Sequence, residues 1–128
     1  MNRTILLTGT LFGLLAVVFG AFGAHGLKDL IDADAIQTFE TGVRYQMYHA
    51  LFLLVLGSMT QLPESSKKLV YYFIVAGIFM FSFSIYLLAT NSLTGFDFKT
   101  IGFITPLGGL LLILGWVVLG LRCYQNWK

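Results

Sequence analysis

Four stretches of this chain, residues 5–24, 45–62, 69–90 and 101–121, contain no Asp, Glu, Lys or Arg. Each is close to the roughly 20 apolar residues that cross about 30 Å of hydrocarbon as a helix. That pattern constrains the fold more than any motif in the chain. Inside lipid a backbone N–H or C=O meets no water, so a spanning segment must satisfy its own hydrogen bonds, as an α-helix does. A membrane β-barrel would alternate apolar and polar residues, and these runs do not alternate. Composition agrees. Hydrophobic residues make up 57% of the 128 and charged residues 11%, against roughly 45–50% and about 25% in soluble domains. Too few charges remain to coat a water-facing surface. The sequence therefore predicts an all-α, four-helix transmembrane bundle, one integral membrane domain over residues 1–128 with the lipid bilayer as its solvent.

A net charge of +2 and the lack of a basic stripe with interleaved aromatics give no reason to expect nucleic acid as a partner. The lone Cys123 forms no intrachain disulfide and has no neighbouring His or second Cys to activate it. Arg3 and the Ala21-Phe22-Gly23 stretch loosely resemble a signal peptide, but the apolar run between them exceeds a usual signal core. The expectation is a retained span. Basic residues near span ends set orientation. Arg3, Lys67, Lys68, Arg122 and Lys128 fall on one side, and Lys28, Arg44 and Lys99 on the other. Both termini are expected in the cytoplasm, the protein being multi-pass in the cell inner membrane.

The second helix is expected to extend beyond the hydrocarbon at its outer end. Asp34 followed by Gln37 has capping-box spacing. Ile36, Phe39, Val43, Met47, Ala50 and Leu54 then keep helical period, giving one helix over about 35–60. Glu40 and Arg44, spaced i, i+4, are expected to form a solvated surface pair.

Lipid tails are as apolar as leucine, so close backbone approach, not oiliness, holds membrane helices together. Gly9, Gly13, Ala16, Gly20 and Gly23 line one stripe of the first span, which predicts the tightest packing in the bundle there. Gly26 is expected to end that helix in a left-handed turn. In "TPLGGLLLILGW", Pro106 is expected to kink or start the fourth helix, with Gly108, Gly109 and Gly115 at helix contacts.

Polar residues within the spans concentrate in the outer half. His25 ends the first span, Gln46 and His49 open the second on one face, and Ser84, Tyr86, Asn91 and Thr105 lie at matching depth. Unsatisfied polar groups in hydrocarbon are costly, so these seven are expected to face one another. Two readings stand side by side. One is an interhelical hydrogen-bond cluster; the other is a small binding site with two titratable rings. Two histidines without a nearby Cys or acid make a poor metal site. No serine has a spaced base and acid, and no span holds an Asp or Glu. No catalytic residue, metal or cofactor is expected.

"GAFGAHGL", "YQMYHAL", "FSFSIYLL" and "TPLGGLLLILGW", taken in order, cover nearly the whole chain. They resemble the family called domain of unknown function 423, small four-helix bacterial inner-membrane proteins similar to the transmembrane protein 256 group. The matching positions include Gly20, Gly23, His25, Gly26, Tyr45, Gln46, His49, Ser82, Ser84, Tyr86, Thr105, Pro106, Gly108, Gly109 and Trp116. Where Phe83 stands, the family pattern has a small residue. The resemblance implies fold and location and names no substrate. Two functions are therefore carried forward. The first is a non-enzymatic packing or accessory protein, bound to itself or to a larger membrane complex. The second is a module that binds or transports a lipid, quinone or small solute at the outer polar cluster.

Overall fold

Four long helices account for most of the chain: α1 (Asn2–His25), α2 (Ala33–Ser58), α3 (Glu64–Ala89) and α4 (Ile104–Asn126). The structure, a computed structural model, describes residues 1–94 and 102–127. Residue 101, expected to open the fourth span, and Lys99 and Lys128, used to assign orientation, lie outside them. Among the described residues there is no strand; a 3₁₀ turn, Asn91–Leu93, follows α3. Helices α1, α3 and α4 are long and apolar enough to cross a membrane. Helix α2 is equally long but carries Asp34, Glu40 and Arg44 in its first half.

Helix α1 lies along α2, α4 lies along α3, and α2 and α3 meet between them. The bundle thus has an inner pair and an outer pair. Ile5, Leu53, Leu56, Val70, Ile74 and Ile78 fill the centre and are fully buried. The outer helices bury one face each and turn the rest outward, with Leu7, Leu14 and Val17 of α1 and Ile113, Val117 and Leu121 of α4 all exposed. Outward leucine and valine are what lipid solvates well. The expectation that α1 would be the most tightly packed helix is corrected here. Its small face closes on one neighbour, whereas α2 and α3 are covered from two sides.

The helix ends differ from expectation in ways that local chemistry explains. The N-cap of α2 is Asp32, whose carboxylate accepts from the Ala35 N–H at 2.8 Å, so Asp34 falls within the first turn. Asp34 instead offers its backbone carbonyl to Thr38. Gly26 keeps right-handed geometry, φ −74° and ψ −41°, and its N–H bonds Phe22 at 2.7 Å. The turn that follows needs no left-handed residue, because Leu27 and Ile31 are drawn under Phe39 and Ala89 as a small second core. Glu40 and Arg44 do not pair; Arg44 donates to the Thr41 hydroxyl at 3.3 Å. Pro106 starts α4 rather than kinking it, since it falls in the first turn, where its missing N–H has no intrahelical role.

Helix α3 begins at Glu64, one turn before its apolar run, which places Lys67 and Lys68 on the helix. Its middle holds a π turn, Phe79–Phe83. Phe83, the residue where the family pattern has a small one, packs edge-on against Phe79 at 4.9 Å and Phe12 at 6.4 Å. Its ring fills space between α3 and α1 that the two backbones leave open.

Candidate functional site

The polar residues of the spans are set by two local features. On α2, Gly42, Gln46 and His49 recur at helical spacing and are all buried. On α3, the π turn adds one residue to the helical repeat and so turns the following face relative to the preceding one. Ser82 thereby reaches α2, donating to the Gly42 carbonyl at 2.8 Å. Two residues later Ser84 reaches α4, its hydroxyl 2.5 Å from that of Thr105. Gly108 of α4 sits against the backbone of Met80 and Phe81 within the same turn, a place where a Cβ has no room.

Besides the Ser82–Gly42 bond, three links join the candidate polar residues. In the first, Gln46 donates its amide N–H to the Phe12 carbonyl of α1 at 2.8 Å and accepts from the Tyr86 hydroxyl at 2.6 Å. One side chain on α2 thus ties α1 to α3. In the second, Ser84 also donates back to the Met80 carbonyl at 2.6 Å and joins Thr105. In the third, the Trp116 indole N–H of α4 donates to Nε2 of His49 at 3.1 Å. The Nδ1 of the same ring is 2.6 Å from the Tyr45 carbonyl. A carbonyl only accepts, so Nδ1 carries the proton and Nε2 receives the indole bond. His49 is therefore held as the neutral Nδ1–H tautomer, with both ring nitrogens engaged.

The seven polar positions of the sequence reading therefore do not form one cluster. Gln46 with Tyr86, Ser84 with Thr105, and His49 alone fall into the three links. His25 is exposed at the end of α1 and does not reach His49. Asn91 lies in the 3₁₀ turn beyond α3. Trp116 was legible only as a family-matching position, because an indole at a membrane helix surface ordinarily reads as an interfacial anchor. Of the small residues assigned to contacts, Ala16 is fully buried, and an added Cβ at Gly9 or Gly23 would come within about 3 Å of α2 atoms. At Gly13, Gly20 and Gly109 it would make ordinary contact, 3.4–3.7 Å, and at Gly115 it would meet Ile74 at 2.5 Å.

Beside the third link runs a groove of about 320 Å³ between α2, α3 and α4. Tyr45, His49, Phe81, Gly109, Ile113 and Trp116 line it. Gly109 gives it depth, since any side chain there would stand in it. Trp116 and Ile113 are more than half exposed, so the groove opens sideways, toward where acyl chains run. It offers an aromatic, mostly apolar wall with one imidazole at its floor.

A family model described as "Protein of unknown function (DUF423)" matches residues 19–109. The UPF0382 membrane protein SAB0533 of Staphylococcus aureus (strain bovine RF122 / ET3-1) is 38% identical over 123 residues, covering 96% of this chain and 97% of that protein. The UPF0382 membrane protein SSP2132 of Staphylococcus saprophyticus is likewise 38% identical, covering 96% and 98%. The UPF0382 membrane protein YwdK of Bacillus subtilis (strain 168) is 37% identical over 119 residues, covering 91% and 93%. No solved structure matches.

Proposed function

The chain belongs to the DUF423 family of membrane proteins, and from that premise we propose that it is a non-enzymatic accessory or packing protein of the cell inner membrane. It crosses the bilayer several times and acts through contact with a second copy or with a larger membrane complex. The observation that carries this reading is the state of the interior polar groups. Among the described residues, every buried side-chain nitrogen and oxygen already has a hydrogen-bond partner. Gln46, Ser82, Ser84 and His49 join helices to one another, and a catalytic interior would instead keep donors directed at a substrate. Orientation follows from Arg3, Lys67, Lys68 and Arg122 at one end against Lys28 and Arg44 at the other, which favours both termini inside. Purification in a mild detergent, with mass determination and in-membrane crosslinking, tests the reading. A stable dimer or a reproducible crosslinked partner is expected; a lone monomer with no crosslinked partner overturns it.

The groove at His49 and Trp116 favours a second reading, a module that holds a lipid, quinone or small solute from the side. Its size and apolar walls suit one ring or chain, and the imidazole marks one polar contact. Organic extraction of purified protein, followed by mass spectrometry, should recover a bound amphiphile that the His49→Ala, Trp116→Ala double variant loses. Equal recovery from both proteins removes this reading and leaves the first untouched.

A further inference from the structure

At the end of the bundle where α1 and α3 begin lies a second pocket, of about 470 Å³, lined by Asn2, Arg3, Thr60, Glu64 and Lys67 among others. Lys67 is the unusual member. It is only 3% exposed, although it stands where a lysine ordinarily extends its ammonium into water. Its Nζ donates to Asn2 Oδ1 at 3.1 Å, a neutral acceptor. An ammonium has three N–H donors, and among the described residues this is the bond that Lys67 makes to protein. Glu64, the nearest acid in sequence, also lines the pocket, but it is 69% exposed and its carboxylate is paired with the amino group of Met1 at 3.1 Å. A buried cation is costly unless an opposite charge meets it. Arg3 adds a second cation to the same walls, and its exposed side chain leaves the guanidinium able to turn inward. Thr60 contributes a hydroxyl.

We propose that this pocket binds a phosphate group, with Lys67 as its buried anchor and Arg3 as its rim contact. The chemistry fits. A phosphate offers several acceptor oxygens to the unused ammonium donors, and a guanidinium grips it with two parallel bonds. The position favours a phosphate carried by an anionic phospholipid. The pocket sits where the apolar runs of α1 and α3 start, at headgroup depth, and basic pockets between membrane helices are suited to such headgroups.

The test uses the purified full chain, stripped of lipid in detergent. Phosphatidylglycerol, phosphatidylcholine with the same acyl chains, and inorganic phosphate are titrated separately, read by native mass spectrometry and by the thermal unfolding midpoint. The expected result is retention of phosphatidylglycerol over phosphatidylcholine, reduced about five-fold by Lys67→Gln and by Arg3→Gln. Lys68→Gln, outside this pocket, should change it less than either. Should Lys67→Gln fail to fold, Arg3→Gln at the exposed rim carries the test by itself. If millimolar inorganic phosphate displaces the lipid and raises the midpoint of wild type but not of Arg3→Gln, the site stands and its source is free phosphate. Equal retention of the two lipids by wild type, or unchanged phosphatidylglycerol retention in Arg3→Gln, overturns the proposal.

Discussion

The α1–α2 contact and the α3–α4 contact both run along glycines, yet they close in different ways. Along α1–α2 the approach is padded mostly by side chains, the exception being the Ala50 carbonyl oxygen, 3.0 Å from a Cβ on Gly9. Phe22 and Phe39 meet edge to face at 6.5 Å, and the atoms nearest an added Cβ at Gly23 are those of the Phe39 ring. Along α3–α4 the nearest atoms to Gly108 are backbone atoms of Met80 and Phe81, inside the π turn. Small residues on both sides let these helices interlock, since Gly77 of α3 receives Leu112 and Gly115 of α4 receives Ile74. A side chain can change rotamer to admit a methyl group; a hydrogen-bonded backbone turn cannot. The second contact should therefore be the less tolerant of the two, even though the first runs the length of the glycine stripe.

Substitutions can break or sharpen that contrast, each read as a change in thermal unfolding midpoint of purified protein in one detergent. Gly108→Ala should be the most damaging, costing about 3 kcal/mol, the upper end for overpacking, because neither helix backbone can yield. A midpoint equal to wild type would show that the π turn gives way and would dissolve the distinction. Gln46→Leu should cost about 2 kcal/mol. It strips the Tyr86 hydroxyl of its acceptor in an apolar interior and removes one of the ties between α1 and α3. Gly9→Ala places a methyl 3.0 Å from the Ala50 carbonyl oxygen. A loss of about 1 kcal/mol or less is expected, since alanine's better helix propensity offsets part of the crowding. Trp116→Phe removes one interhelical donor and should cost about 0.6 kcal/mol, with the His49 ring losing its acceptor role. Gly13→Ala, where the nearest atom would be 3.7 Å away, should be neutral or slightly stabilising. If Gly13→Ala proved as harmful as Gly108→Ala, the padded contact would be as rigid as the interlocked one.

The helices were legible because lipid leaves a backbone only helices or closed barrels, and uncharged runs without alternation read almost directly as helices. Their ends were less so. Asp32 and Asp34 both carry a carboxylate near the start of α2, and which one caps depends on how residues 26–32 fold back through Leu27 and Ile31. The π turn has no sequence mark here: "FMFSF" reads as ordinary membrane helix until Gly108 presses on it. For the candidate site, Gln46, His49, Ser84, Tyr86 and Thr105 could be singled out as costly in lipid. Their partners could not, because depth in the bilayer is readable from position along a span, but rotation about the helix axis is not. His25 shows the consequence: it shares the depth of the others and faces outward.

Sequence alone determined that this chain is a helical membrane protein, since local composition decides which segments enter hydrocarbon and the cost of an unpaired peptide group there holds for every sequence. It also determined which side chains must find partners there. Tertiary structure decided who those partners are: Trp116 for His49, Tyr86 for Gln46, and for Lys67 a neutral amide where an acid was available three residues away. Hydrogen bonds act over about 3 Å, so such choices rest on how four cylinders are rotated and offset. That is a property of the packed bundle which no single helix contains.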